Sequence, residues 1–287
     1  SRQPGSNFKP FIYASALKNG FTAATLINDA PVVFNDEKLE ETWRPENDGG
    51  KFFGPTRLRE ALYRSRNLVS IRLLRRLGID RALEGLQGFG FETGDMPLDL
   101  SLALGSHALT PLEIVSGYAV FANGGYRIKP YMIDKVIDRD GNIIFATERV
   151  SACPKCLAGL NITPDTQLSE LNNVDVALEN LFSELSDRKK LQSDRVNKQM
   201  LQLALKRPTS FTSSQAPQVL DPQTAFIIDS ILKDVIQRGT GIKAKILDRE
   251  DLGGKTGTTN GPRDAWFSGY SPTLVATAWL GFDDNSI

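Results

Sequence analysis

Arg2-Gln3-Pro4-Gly5-Ser6-Asn7-Phe8-Lys9-Pro10-Phe11 places a serine and a lysine three residues apart near the start of the chain. Residues 6–18 read as a helix closed by Asn19-Gly20, with Pro10 early enough to be tolerated near the first turn. Residues i and i+3 of a helix share a face, so the Lys9 amine reaches the Ser6 hydroxyl. Burial and nearby cations lower the pKa of a lysine and let it act as a base. His107, the sole histidine, lies in Gly105-Ser106-His107 and reads as a surface loop residue. A serine enzyme built on this chain therefore uses lysine.

The same spacing recurs at Ser15–Lys18, Ser186–Lys189 and Ser230–Lys233. Position separates the four. Ser6 lies at a helix start, where free N–H groups and the positive dipole end stabilise an oxyanion. Ser15 is about 180° further round the same helix at ~100° per residue. Ser186 falls in a polar stretch, and Ser230 sits mid-helix without free N–H groups.

Two further patterns occur once each. Ser65-Arg66-Asn67 offers a hydroxyl and an amide at a break between helices, where capping is the plain alternative. In Lys255-Thr256-Gly257-Thr258-Thr259, read as a strand, Lys255 and Gly257 share a face. The bare Gly257 lets that edge approach another element closely. No G-x-x-x-x-G precedes it, which removes a phosphate loop from consideration.

The order Ser-x-x-Lys, Ser-x-Asn, Lys-Thr-Gly is the active-site set of the penicillin-binding protein and serine β-lactamase superfamily, with Arg66 where Asp is common. The words around it resemble class A penicillin-binding proteins: the opening stretch, Ser65 to Val69, Phe121-Ala122-Asn123-Gly124-Gly125, and Gly253 to Tyr270. The likeness spans roughly 1–146 and 219–285, and the segment between resembles the insertion of the 1a type.

That resemblance implies an α+β fold, an antiparallel β-sheet flanked by helices. It implies a transpeptidase domain at 1–146 and 219–287 around an accessory segment at 147–218. The implied reaction is D,D-transpeptidation of peptidoglycan stem peptides ending in D-Ala-D-Ala, with β-lactams as acylating partners. Ser6 is the implied nucleophile and Lys9 its base. Ser65 passes a proton to the leaving D-Ala, helped electrostatically by Lys255, and Asn67 holds the substrate amide. Thr256, Thr258 and Thr259, with Gly257 between them, address the terminal carboxylate. Ser6 and Thr258 N–H groups form the oxyanion hole. No cofactor or metal is implied. A D,D-carboxypeptidase, a β-lactamase and a non-catalytic β-lactam sensor stay open as alternatives. The likeness further implies a periplasmic site anchored at the inner membrane by a segment outside this chain. It also implies that this chain is a fragment lacking the first strands of its sheet, which an upstream fragment would supply.

Bulk properties set the frame. The 287 residues carry 34 basic and 34 acidic side chains, so no net charge draws the chain to nucleic acid. No apolar run reaches the roughly 18 residues of a membrane span. Cys153 and Cys156 form the one C-x-x-C; two thiols cannot complete a four-ligand zinc site, and they read as a local disulfide or idle thiols.

Other elements follow from spacing. Pro31-Val32-Val33-Phe34 reads as a short strand, and helices are expected near 56–64 and 67–77, the second stopped at Gly78. Thr110-Pro111-Leu112-Glu113 is a capping box opening a helix that Asn123-Gly124-Gly125 ends. A hairpin is expected over 131–146, a helix from Asp221-Pro222 to Gly239, and antiparallel strands over 252–287.

Overall fold

The nucleophile segment winds more tightly than its spacing predicts. In the computed structural model, which describes residues 1–33, 43–148, 150–152, 214–259 and 263–282, Ser6 lies in a 3₁₀ turn, Gly5–Phe8. The α-helix α1, Lys9–Lys18, starts only afterwards. Pro10 is the cause: it has no N–H to give the Ser6 carbonyl, and Lys9 N–H bonds that carbonyl in the tighter i→i−3 manner. From Lys9 to Ala16 every residue of α1 is buried, as suits a helix enclosed on all sides.

Strand β1, Leu26–Asp29, pairs antiparallel with β2, Gly54–Arg57. The strand expected over 31–34 is not formed: residues 31–33 are irregular, and Phe34 lies outside the described residues. Pro31 cannot donate to a ladder, so pairing stops before it. The polar Asn28 and Asp29 hid the real strand from a reading by β-propensity.

Helix α2, Leu58–Tyr63, and helix α3, Asn67–Leu77, flank the Ser65 turn. Gly78, at φ 88°, ends α3 and leads directly into α4, Ile79–Phe89, which the spacing analysis did not anticipate. Its buried Ala82, Leu86 and Phe89 follow the helical period, but Gly85 and Gly88 weaken the signal. Gly85 packs on α1, where an added Cβ would fall 2.1 Å from Ser15 Oγ. Helix α5, Pro111–Ala122, carries both halves of the capping box: Glu113 N–H donates to Thr110 Oγ at 3.2 Å, and Thr110 N–H donates to the Glu113 carboxylate at 2.7 Å.

Two compact units divide the chain, Ser1–Pro130 with Ala216–Ile287, and Tyr131–Gln215. The second holds the hairpin of β3, Lys135–Ile137, and β4, Ile143–Ala146, whose turn is gathered by the Asp138 carboxylate accepting from Asp140 and Asn142 N–H. It also holds a short parallel pair, β5, Val150–Ser151, with β6, Ser214–Gln215. Cys153, Cys156, Ser186 and Lys189 lie outside the described residues.

The first unit resumes with α6, Pro222–Arg238, capped by Asp221 accepting from Thr224 N–H at 2.8 Å. Strands β7, Gly253–Thr258, β8, Asp264–Tyr270, and β9, Val275–Gly281, form an antiparallel sheet in that order. Helix α6 lies against β7 and α5 against β8 and β9, while α1 packs on α2, α3, α4 and α6. An aromatic cluster fills the space between: the Phe11 ring centroid lies 4.8 Å from Phe91 and 5.3 Å from Tyr118. The fold is α+β, with antiparallel sheets flanked by helices.

One contact joins sheet and nucleophile. A Cβ at Gly257 would lie 2.3 Å from Pro4 O and 2.7 Å from Asn7 Cβ, so strand β7 presses its backbone on the 3₁₀ turn. Gly5, at φ 56°, answers from the other side, 2.4 Å from Thr258 O by the same measure. The obstructing atoms belong largely to backbone and cannot swing aside. Gly257→Ala is therefore expected to cost about 1–3 kcal/mol of stability, read as a lower urea midpoint at unchanged slope. An unchanged midpoint would show that the turn is free to yield.

Candidate active site

Three segments distant in sequence meet at one hydroxyl. The 3₁₀ turn leaves Ser6 half-buried on the wall of a cleft of about 1020 Å³, also lined by Ser65, Asn67, Thr256, Thr258 and Thr259. One turn on, α1 carries Lys9, which is fully buried. Its Nζ donates to Ser65 O at 2.8 Å, Asn67 Oδ1 at 2.6 Å and Ser65 Oγ at 3.3 Å. From β7 comes Lys255, also fully buried, donating to Ser65 Oγ at 2.9 Å and Thr256 O at 3.0 Å.

Ser65 Oγ thus accepts from two amines. A hydroxyl has two lone pairs and one hydrogen, so with both lone pairs engaged that hydrogen is left to donate. The turn that presents it is strained: Ser65 has φ 59°, a left-handed conformation that a non-glycine residue keeps only when its surroundings impose it. Lys9 grips its carbonyl, and its own N–H donates to Leu62 O at 3.0 Å.

Both amines are pushed toward the neutral form. Burial lowers Lys255 to about 7. Burial lowers Lys9 well below the ordinary lysine value, the charge of Lys255 lowers it further, and buried Asp29 pulls partly the other way. The causes are desolvation first and like charge second, the ordinary route to a basic lysine near neutrality.

The remaining residues singled out in the sequence fall as follows. Thr256 Oγ lies 2.7 Å from Thr240 Oγ, and Thr258 is exposed to the cleft. Thr259 Oγ accepts from Asp264 N–H at 3.1 Å, which closes the β7–β8 connection. Ser15 donates to Phe11 O at 2.9 Å and faces α4; Ser230 accepts from Arg59 at 2.9 Å, and Lys233 pairs with Asp229. None of these last three lines the cleft.

Sequence reasoning gave Asn7 no role. Fully buried, it donates to Lys255 O at 2.8 Å, accepts from Ser268 Oγ at 2.9 Å, and receives the Tyr118 hydroxyl on its carbonyl at 2.7 Å. It ties the nucleophile turn to β7, β8 and α5 at once. Its only trace in the sequence was its place inside Ser-x-x-Lys.

This constellation, a serine on a tight turn with two buried lysines sharing a second serine, is that of an active-serine α+β domain. The chain belongs to the penicillin binding protein transpeptidase domain family, whose model matches residues 1–174. It is 46% identical over 98% of its length to penicillin-binding protein 1A of Pseudomonas aeruginosa, and 41% identical over 99% to that of Escherichia coli. Penicillin-binding protein 1A from Haemophilus influenzae, a solved structure, superposes over 99% of the chain with TM-score 0.75 at 34% identity. The chain spans about a third of these relatives, 32% and 34% of the first two and 38% of the third.

A buried amine leaves a signature in the pH dependence of stability. Unfolded Lys255 titrates near ~10.4, so between about pH 7 and that value the unfolded chain holds the extra proton, and folding stability rises with pH. Below about 7 both states carry it and the slope vanishes. Lys255→Met removes this term. The melting temperature of the parent minus that of the variant should climb from neutral to alkaline pH; a flat difference would mean that Lys255 is not depressed.

Proposed function

We propose that this chain is the acyl-transferring part of a D,D-transpeptidase that cross-links peptidoglycan stem peptides, and that β-lactams acylate Ser6. The observation that carries the reading is the Ser65 hydroxyl held by both Lys9 and Lys255 beside Ser6. In its neutral form Lys9 keeps two donations, to Ser65 O and Asn67 Oδ1, and its free lone pair takes the Ser6 proton as Oγ attacks the carbonyl of the penultimate D-Ala. The Ser6 and Thr258 N–H groups receive the oxyanion, each such donor being worth roughly 3–4 kcal/mol in serine enzymes. As the C–N bond breaks, Ser65 gives its proton to the departing D-Ala amine, helped by Lys255, and regains one from protonated Lys9, whose Nζ lies 3.3 Å from Ser65 Oγ. Asn67 holds the substrate amide, while Thr256, Thr258 and Thr259 take its carboxylate. The amine of a second stem peptide then attacks the ester, and as the C–O bond breaks the proton lost by that amine passes to Ser6.

Membership of the family and a strong likeness to three 1A proteins support this reading. Among the described residues no helix is long and apolar enough to cross a membrane. We assign the longer protein to the periplasmic face of the inner membrane, held there by a segment outside this chain. The outer edge of β9 pairs with no strand among the described residues, and Leu280 on it is 76% exposed. A segment upstream in the longer protein would pair there and continue the sheet, since an open strand edge is a template for another strand.

Intact mass after incubation with a penicillin tests the chemistry. One covalent adduct is expected on the parent and none on Ser6→Ala; a parent without adduct overturns the enzyme reading. An adduct lost within minutes would favour a β-lactamase, and product released with water alone as acceptor would favour a carboxypeptidase. The sheet edge has its own test in amide exchange. Residues 275–281 should exchange fast in this chain and slowly in the longer protein, whereas equal rates would remove the upstream strand.

A further inference from the structure

The residue between Ser65 and Asn67 points away from the cleft chemistry and toward a buried carboxylate. Arg66 lays its guanidinium 3.5 Å above the centre of the Phe53 ring, with Nε 3.9 Å from Asp29 Oδ2. Asp29 ends β1 and is fully buried. Its Oδ1 accepts from Asn47 Nδ2 at 2.7 Å. Asn47, 5% exposed, turns its own Oδ1 to the start of α3, accepting from Asn67 N–H at 2.9 Å and Leu68 N–H at 3.3 Å. Helix α3 has no capping side chain of its own, so Asn47 caps it from a distant loop. The backbone of that loop holds the other end of Asn67, whose Nδ2 donates to Glu46 O at 2.8 Å. This leaves Asn67 Oδ1 aimed at Lys9.

We propose that Asp29 and Asn47 are positioning residues for acylation: Asp29 orients the Asn47 amide and anchors Arg66, and together they hold the Ser65–Asn67 turn in the shape that Lys9 requires. Asn47 is fixed by this bond and by a second donation to Lys51 O at 2.9 Å. Its carbonyl therefore faces α3 and cannot flip to present an amide there. Asp29 has a second, longer-range effect. Charged Lys255 on β7 and charged Asp29 on β1 oppose each other at Lys9, one favouring its neutral form and the other its ammonium form. The relay thus sets geometry through Asn47 and poise through its charge.

The inference rests on acylation of Ser6, and the second-order rate of acylation by a fluorescent penicillin, taken from about pH 6 to about pH 10 in the full-length protein, tests it. Asn47→Ala should slow acylation by about tenfold or more while leaving the midpoint of the acid limb in place. Asp29→Asn should slow it too and also move that midpoint to lower pH, because loss of the carboxylate lets Lys9 lose its proton more readily. The exchanged pair, Asp29→Asn with Asn47→Asp, keeps one carboxylate, one amide and the hydrogen bond between them, and should recover part of the rate. Thermal unfolding of each variant gives the folded fraction by which rates are corrected. Asn47→Ala leaves the buried charge in place, so it carries the test even where Asp29→Asn folds poorly. Corrected rates and acid limbs equal to the parent in both single variants would overturn the proposal, and a parent that forms no adduct would overturn the acylation reading instead.

Discussion

Two amines buried around one hydroxyl set the terms for the rest of this molecule. A charged ammonium taken out of water is expensive, and two that share the Ser65 oxygen repel as well. Among the described residues no carboxylate is paired with either amine: buried Asp29 acts on Lys9 through space and is itself engaged by Asn47, with Arg66 Nε 3.9 Å away. Desolvation therefore pushes both amines toward the neutral form. Lys9 donates to oxygens of the Ser65–Asn67 turn, and Lys255 to Ser65 Oγ and a β7 carbonyl. Such matching requires three chain segments to meet within hydrogen-bond distance, and the scaffold around them is what makes that meeting rigid.

The rigidity has identifiable sources. Helix α1 is enclosed on all sides, so Lys9 arrives on an element with no solvent face along which to slide. The glycines of β7 and of the nucleophile turn let two backbones touch, and Asn7 adds hydrogen bonds across the same seam. The Ser65 turn is held at a positive φ between two helices. A left-handed serine costs on the order of 1–3 kcal/mol, and Lys9 together with the end of α2 must offset it. At the site, this strain falls on the residue whose hydroxyl faces both amines.

How far the sequence foretold this depends on the range of each interaction. The capping box at Thr110, the cap at Asp221, the breaks at Gly78 and Gly239 and the C-terminal strands are local and were legible. Ser6, Lys9, Ser65, Asn67 and Lys255 stood out through spacing and resemblance; Ser6, Ser65 and Asn67 line one cleft, and Lys9 and Lys255 lie buried behind Ser65. Asn47, Asp29 and Thr240 left no mark, because an asparagine that caps a helix twenty residues away has no periodicity to betray it. The early strand was missed for a related reason. Leu26-Ile27-Asn28-Asp29 is polar at its end, where the Asp29 side chain accepts from Asn47 while its backbone pairs in the ladder, and the more apolar stretch after Pro31 looked the better strand.

The same logic explains why Arg66 is tolerated where an acidic residue is common. A carboxylate in that place would lie beside buried Asp29, and the two negative charges would repel with no cation between them. Arginine instead sets a positive charge 3.9 Å from Asp29 Oδ2 and spreads its guanidinium over Phe53 at 3.5 Å, a stacking that lysine could not reproduce. The middle residue of Ser-x-Asn is then chosen by what lies behind the turn, not by the substrate in front of it. The identity of that residue and the acidity of β1 are coupled choices, so the buried pair and the exposed chemistry of the cleft are two faces of one turn.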